Sequence, residues 1–393
     1  MLSEKDSQSV ITLCQNLIKA KSYSGNEKAA ADCLSSFFKA NDFDSVTTDK
    51  YGNIIGCIKG KYPGKKLLFD GHIDTVPVSD SDGWLYPPFE AEIHDGRIYG
   101  RGTSDMKGAV AAMAYAAAKF AKNSSREFSG EIYVAGVVHE ECFEGVAARS
   151  ISEQIKPDIV IIGEASNLNI KVGQRGRAEI VVETFGVPAH SANPEKGVNA
   201  VYNMMKLINE IKQIHPASHE KLGYGISELI DIKSEPYPGK SVVPSYCRAT
   251  YDRRLLPNET EESVLKPIQD IISKIKASDS GFEAKVGFAY GKEQCYTGET
   301  IEAKRFFPAW IYDENSDEVL SVKAEMEKSG FIPKTDCYHF CTNGSHYAGE
   351  AGIMTIGIGP SKENLAHTVN EYIEVEQLTK AVEAYCCVMS ALL

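Results

Sequence analysis

Residues 65–77 read KKLLFDGHIDTVP. An apolar run there ends in a short turn that carries Asp70, His72 and Asp74. A surface turn would explain one such group, so the other strand-like runs decide its meaning. EIYVAGVV (131–138) is followed by His139, Glu140 and Glu141, and DIVII (158–162) by Gly163 and Glu164. IMTIGI (353–358) leads through GPSKENLA to His367, and Asp105 stands in YGRGTSDMKG (99–108), just ahead of an alanine-rich run. These runs, with NIIGCI (53–58), alternate with helical periodicity over residues 4–20, 26–41 and 106–123. Short strands apolar on both faces and separated by helices indicate an α/β fold: a mostly parallel sheet with helices on both faces. Ligands of open α/β sheets bind beyond the carboxyl ends of the strands. Five segments therefore aim acid or imidazole groups at one edge.

At 393 residues the chain is long for one core, and its texture changes near Arg175. Alternating runs such as AEIVVETF (178–185) and YCRATYDRR (246–254) indicate half-buried antiparallel strands, with amphipathic helices at 197–214 and 261–278. The expected organisation is a catalytic domain in two parts, residues 1–175 and 293–393, with an inserted α+β domain over 176–292. A net charge of -12 repels phosphate backbones and anionic surfaces, which argues against nucleic acid or membrane partners. The amino-terminal stretch MLSEKDSQSV has no apolar core, and no run reaches the roughly 20 residues of a membrane span, so a cytoplasmic location is expected. Ten cysteines are scattered without a CxxC pair, as expected of reduced, packed thiols.

Each polar residue at the sheet edge has an ordinary explanation when taken alone: Asp105 as a helix N-cap, Glu140 and Glu141 as a solvated turn, His367 as a surface side chain. Together they do not. Carboxylates about 4 Å apart repel by roughly 4 kcal/mol per pair at an effective dielectric near 20, so such a cluster calls for a cation. Imidazole and carboxylate ligands suit zinc, with cobalt or manganese as substitutes. Asp74, two residues beyond His72, is placed to accept the second imidazole N–H and fix the tautomer. Glu140, beside Glu141 but projecting differently, suits a general base that moves a proton from water to a leaving nitrogen. Hydrolysis of an amide is the expected chemistry.

The stretches GHIDTVP, YGRGTSDMKGAVAAM, HEE, GEAS, GVPAHSANPEKGVNA, DRRLLP and AHTVNEYI occur in this order across nearly the whole chain. In them the sequence resembles the M20 family of metallopeptidases, which includes aminoacylases, deacetylases, desuccinylases and carboxypeptidases. The resemblance implies two co-catalytic zinc ions, one held by His72, Asp105 and Glu164 and the other by Asp105, Glu141 and His367. Asp105 and a hydroxide would bridge them, so that three carboxylates and one hydroxide neutralise two dications. It implies Glu140 as the base and an inserted lid domain that also forms a homodimer. His190 matches a lid histidine that stabilises the oxyanion in the partner's site, and Arg254 a lid arginine that binds the substrate carboxylate.

Departures from the family pattern limit any inference about specificity. Ser241 stands where many relatives have an asparagine. CTNGSH (341–346) stands where GTDA is common, which puts Asn343 in place of an acid at a substrate-binding position. The stretch QCYTGETIEAKRFFPAW (294–310) is long for a plain deacetylase. These features resemble a subgroup of uncharacterised hydrolases linked to selenium metabolism. The expected reaction is cleavage of an N-acyl amino acid or short peptide beside a free carboxylate. The alternatives are a dipeptidase or aminopeptidase acting from the amine end, and a non-catalytic binding module.

Overall fold

A computed structural model of the chain describes residues 2–78 and 83–393. It divides into two compact units. One comprises the chain to Gln174, Lys292–Ala303 and Ile311–Leu393; the other comprises Arg175–Gly291 and Lys304–Trp310.

The larger unit is built on a mixed sheet in the order Ser45–Thr48, Ile54–Lys59, Ser129–Val137, Tyr62–His72, Ile159–Ile162, Met354–Gly357, Ile170–Gln174. Its four central strands, from Ser129–Val137 to Met354–Gly357, are mutually parallel, while the two at the Ser45 end run antiparallel. The apolar runs form strands because they are buried on both faces: Leu67, Leu68 and Phe69 are at most 1% exposed. Each such side chain contributes about 1.5–3 kcal/mol on burial. The alanine-rich segment is the helix Lys107–Asn123, and its small side chains bring it close to the sheet. Gly71 and Gly163 are the counterpart of that approach. A Cβ at Gly71 would lie 2.7 Å from Val110 Cγ2, and one at Gly163 would lie 2.3 Å from Met113 Cε.

Strand register sets the level of the polar edge. His72 pairs with Val137 and Asp70 with Ile162, so the turn carrying Glu140 and Glu141 and the turn carrying Glu164 leave the sheet beside the GHIDTVP turn.

The second unit is an antiparallel sheet in the order Ile226–Glu235, Tyr246–Leu255, Gly176–Phe185, Glu283–Phe288. Helices Ala200–Ile211 and Glu261–Ser278 share a core with it that includes Ile180, Val182, Leu207, Ala249 and Ile268.

The long stretch 294–310 is divided between the units. In the first, the Tyr296 hydroxyl donates to the Gly52 carbonyl at 2.8 Å, and Thr297 Oγ1 donates to the Lys50 carbonyl at 2.7 Å. In the second, Phe306 and Phe307 pair with Ala178 and Arg177. The inserted unit therefore takes residues 304–310, beyond the 292 boundary expected from sequence. All ten cysteines are free thiols.

Candidate active site

Five separate segments of the larger unit bring His72, Asp105, Glu140, Glu141, Glu164 and His367 together. His72 Nε2 lies 2.9 Å from Asp105 Oδ1 and 3.6 Å from Glu164 Oε1. His367 Nε2 lies 3.1 Å from Asp105 Oδ2 and 2.9 Å from Glu141 Oε2. The two oxygens of Asp105 thus face two different imidazoles, the disposition of a bridging carboxylate. Asp105 does not cap the following helix, whose N-cap is Met106 without a side-chain hydrogen bond. Donor atoms of His72, Glu140 and Glu164 lie within 4.8 Å of one another, as do those of His72, Asp105 and Glu141. Proximity alone therefore does not separate Glu140 from the ligands.

The role expected of the Asp74 carboxylate toward His72 is shared with the Asp74 backbone. His72 Nδ1 faces the Asp74 backbone carbonyl at 2.9 Å, while the carboxylate Oδ1 stands 3.5 Å away. A carbonyl only accepts, so Nδ1 carries a hydrogen, and Nε2, which faces the cluster, is the nitrogen whose lone pair would serve a metal ion once its own proton is lost. The Asp74 carboxylate also holds the HEE turn. It accepts from the Glu140 N–H at 3.1 Å, the Glu141 N–H at 3.2 Å and Ser24 Oγ at 2.7 Å.

The role expected of Asn343 is corrected. It is buried, its Nδ2 donates to Asp70 Oδ1 at 2.9 Å, and its Oδ1 accepts from the Gly145 N–H at 2.9 Å. Both ends are committed inside the protein, which makes it a strut under the strand end and not a substrate contact.

His190 and Arg254 belong to the second unit. The His190 ring is exposed, and its Nδ1 accepts from the Ala192 N–H at 3.0 Å, which leaves Nε2 as the donor of the neutral ring. Arg254 Nε pairs with Asp252 Oδ1 at 2.7 Å, a partner that sequence reading missed although residues two apart share a strand face.

The sequence model of peptidase family M20/M25/M40 matches residues 68–391. The chain belongs to this family. Among its M20 relatives, the uncharacterised protein YgeY of Escherichia coli (strain K12) is 32% identical over 390 residues, covering 98% of this chain and 94% of that one. Succinyl-diaminopimelate desuccinylase 2 of Ruegeria sp. (strain TM1040) is 26% identical over 387 residues, covering 95% and 93%. The aminopeptidase PepT crystal structure from Bacillus cereus ATCC 10987 shares the fold, with a TM-score of 0.77 over 98% of both chains at 21% identity. The chain is thus an M20 metal-dependent amidohydrolase or peptidase acting on small amide or peptide substrates.

The residues fit the dinuclear metal site that M20 membership implies. Glu140 Oε1 and Glu141 Oε1 are buried with no hydrogen-bond partner. Burial, and then the neighbouring Asp105, push the Glu141 carboxyl up to about 7 and the Glu164 carboxyl up to about 8. Burial also holds Glu140 well above the usual carboxylate range. Buried oxygens lacking donors, beside imidazole nitrogens that face the same carboxylate, are what a pair of dications would satisfy.

A pH dependence follows for the metal-free protein. Glu141 and Glu164 titrate higher folded than at their ordinary value of 4.5, so their contribution to stability is full below that value and is lost as pH rises to about 8. His367 acts in the same direction at higher pH: hydrogen bonds to Asp105 and Glu141 raise it from 6.5 to about 10, and its contribution goes across that span. Asp105 has the opposite sign. Burial disfavours its charge, but hydrogen bonds from His367 and His72 outweigh this and lower it, so its contribution is lost only below its ordinary value of 3.8. The melting temperature of chelator-stripped protein is therefore expected to fall from about pH 4.5 to 8. Metal-loaded protein should melt higher and with a flatter profile, and superimposable curves would contradict a shared cluster.

Sequence reading passed over several buried ionisable groups, of which two hold the segments that carry the cluster. Lys107 is fully buried and donates to the Ala20 carbonyl at 3.1 Å and to Ser22 Oγ at 3.0 Å; Ser22 Oγ in turn donates to the Ile73 carbonyl at 2.6 Å. Lys107 thereby ties the segment carrying Asp105 to the one carrying His72. The second is Glu371. A solitary charge inside a loop has no periodicity to betray its burial.

Proposed function

We propose that this M20 hydrolase cleaves an amide bond beside a free carboxylate, in an N-acyl amino acid or short peptide, with two zinc ions and Glu140 as general base. The observation that carries this reading is Glu140 itself: a buried carboxyl whose Oε1 has no partner, in the same cluster as His72 and Glu164. His72, Asp105 and Glu164 would hold one ion, and Asp105, Glu141 and His367 the other. When bound, the ions supply Lewis acidity toward the scissile carbonyl and lower the pKa of water toward about 7.

The chain's own residues do the rest. Glu140 Oε1 takes the proton of the attacking water and delivers it to the leaving nitrogen. The burial that raises its affinity for a proton suits that shuttle. The Asp74 carbonyl fixes the His72 tautomer, and the Asp74 carboxylate fixes the backbone of Glu140 and Glu141. Similarity to a desuccinylase supports an N-acyl substrate. Arg254, with its guanidinium now on Asp252, is the proposed carboxylate anchor. A panel of N-acetyl amino acids, dipeptides and acyl-blocked dipeptides tests this reading: turnover of the acyl substrates supports it, and turnover only with a free α-amine replaces it with an aminopeptidase or dipeptidase.

A homodimer through the lid is part of the proposal. Strand Ile226–Glu235 ends its sheet, with Ile226, Ile230 and Ile232 roughly half exposed. Such an edge invites pairing with a second copy. His190 would then serve the partner's site, with Nε2–H donating to the oxyanion. His190→Ala is expected to lower kcat by about 100- to 1,000-fold with little change in KM. Mixing this variant with a Glu140 variant should restore part of the activity, because one site per mixed dimer is then complete. A loss confined to KM, or no restoration on mixing, would contradict the role.

A further inference from the structure

The bridging carboxylate of the cluster sits on the loop 101–105, and that loop is held by one buried side chain. Glu371 is 0% exposed. Its Oε2 accepts from Arg101 Nη1 at 2.7 Å and the Gly102 N–H at 3.1 Å. Its Oε1 accepts from the Ser104 N–H at 2.8 Å and the Asp105 N–H at 3.1 Å. Three backbone amides of the loop and its arginine thus converge on one carboxylate. Hydrogen bonds to an ionised acceptor are about twice as strong as neutral ones, so this is the loop's principal anchor. A second tie, from the Gly100 N–H to the Glu371 carbonyl at 2.9 Å, locks the two backbones together.

Glu371 also lies four residues after His367. The segment that carries it therefore bears the imidazole facing Asp105 Oδ2 at 3.1 Å. His72 and Glu164 differ in this respect: one ends a central strand and the other follows the adjacent one, positions fixed by sheet register. Asp105 and His367 lie on turns outside the large sheet; the short antiparallel pair Arg97–Tyr99 and Tyr372–Glu374 joins their segments at the base, but Asp105 is six residues beyond it and His367 five before it. We infer that Glu371 is a positioning residue that sets the separation of Asp105 and His367, and so governs occupancy of the Asp105–Glu141–His367 metal position in particular. It does not touch the reacting atoms. Its effect passes through the loop backbone, as outer partners of metal ligands commonly act.

The inference rests on the dinuclear reading above, and the test separates the two. Metal-stripped wild type, Glu371→Gln and Glu371→Asp are titrated with Co2+, followed by calorimetry and by the visible cobalt absorption, with melting temperature as a check on folding. Gln puts an amide NH2 against backbone N–H donors; Asp keeps the charge but retracts it by one methylene. Wild type is expected to bind two ions. Both variants should keep the first within about threefold of wild type and bind the second about 10- to 100-fold more weakly, with a changed second-step spectrum. The Asp variant carries the test should the Gln variant not fold. Two ions bound as in wild type, or equal weakening of both steps, would overturn the inference. Fewer than two ions on the wild type would sink the dinuclear reading itself, and this inference with it.

Discussion

Replacing Glu140 with glutamine is expected to leave two metal ions per chain and to lower kcat by about 100- to 10,000-fold, the contribution of a positioned acid–base group. The substitution is nearly isosteric, so it opens no cavity at a residue that is 6% exposed. It also removes a carboxyl whose charge is opposed by burial and by Glu164, Glu141 and Glu144 nearby. The variant should therefore be at least as stable as the native protein. That separation of stability from rate makes the result decisive. A variant with two metals, an unchanged fold and near-native kcat would remove Glu140 as the base. Loss of metal in step with activity would make it a ligand instead, an outcome the group His72–Glu140–Glu164 leaves open on distance alone.

Asp105→Asn should have the other large effect. The native carboxylate presents Oδ1 to His72 and Oδ2 to His367, and an amide keeps only one of these as an electron-pair donor. One metal position at least then loses a ligand. Stoichiometry is expected to fall below two, and kcat by more than about 1,000-fold, because both the Lewis acidity and the acidified water depend on the pair. Retention of two tightly bound ions would show that Asp105 does not bridge. The substitution also removes the charge of one of the two acceptors that raise His367, so the imidazole should titrate closer to its ordinary value, a shift that NMR can follow.

What could be read in advance depended on periodicity. His72, Glu140, Glu141 and Glu164 follow apolar strands, and parallel register carries such residues to one sheet edge whatever the loops do. Asp105 and His367 were legible as cluster members through the motifs around them. The misses came where side-chain and backbone partners had to be told apart or lay in distant segments. Asp74 was assigned its carboxylate, yet its carbonyl reaches His72, since a turn two residues long brings the backbone closer than the side chain. Asn343 was placed by position in a motif, but its partners Asp70 and Gly145 belong to distant segments that meet only in the fold. Arg254 has its partner two residues earlier, which strand periodicity could have revealed. Lys107 and Glu371 carry charge where composition suggests exposure, and only their donors and acceptors explain why burial is tolerated.

The central claim is that residues of five segments hold two metal ions through a shared aspartate. Anomalous diffraction from crystals grown with cobalt tests it directly. The expected map has two peaks, one bounded by His72, Asp105 and Glu164 and the other by Asp105, Glu141 and His367. A single peak, or peaks that Asp105 does not join, would contradict it.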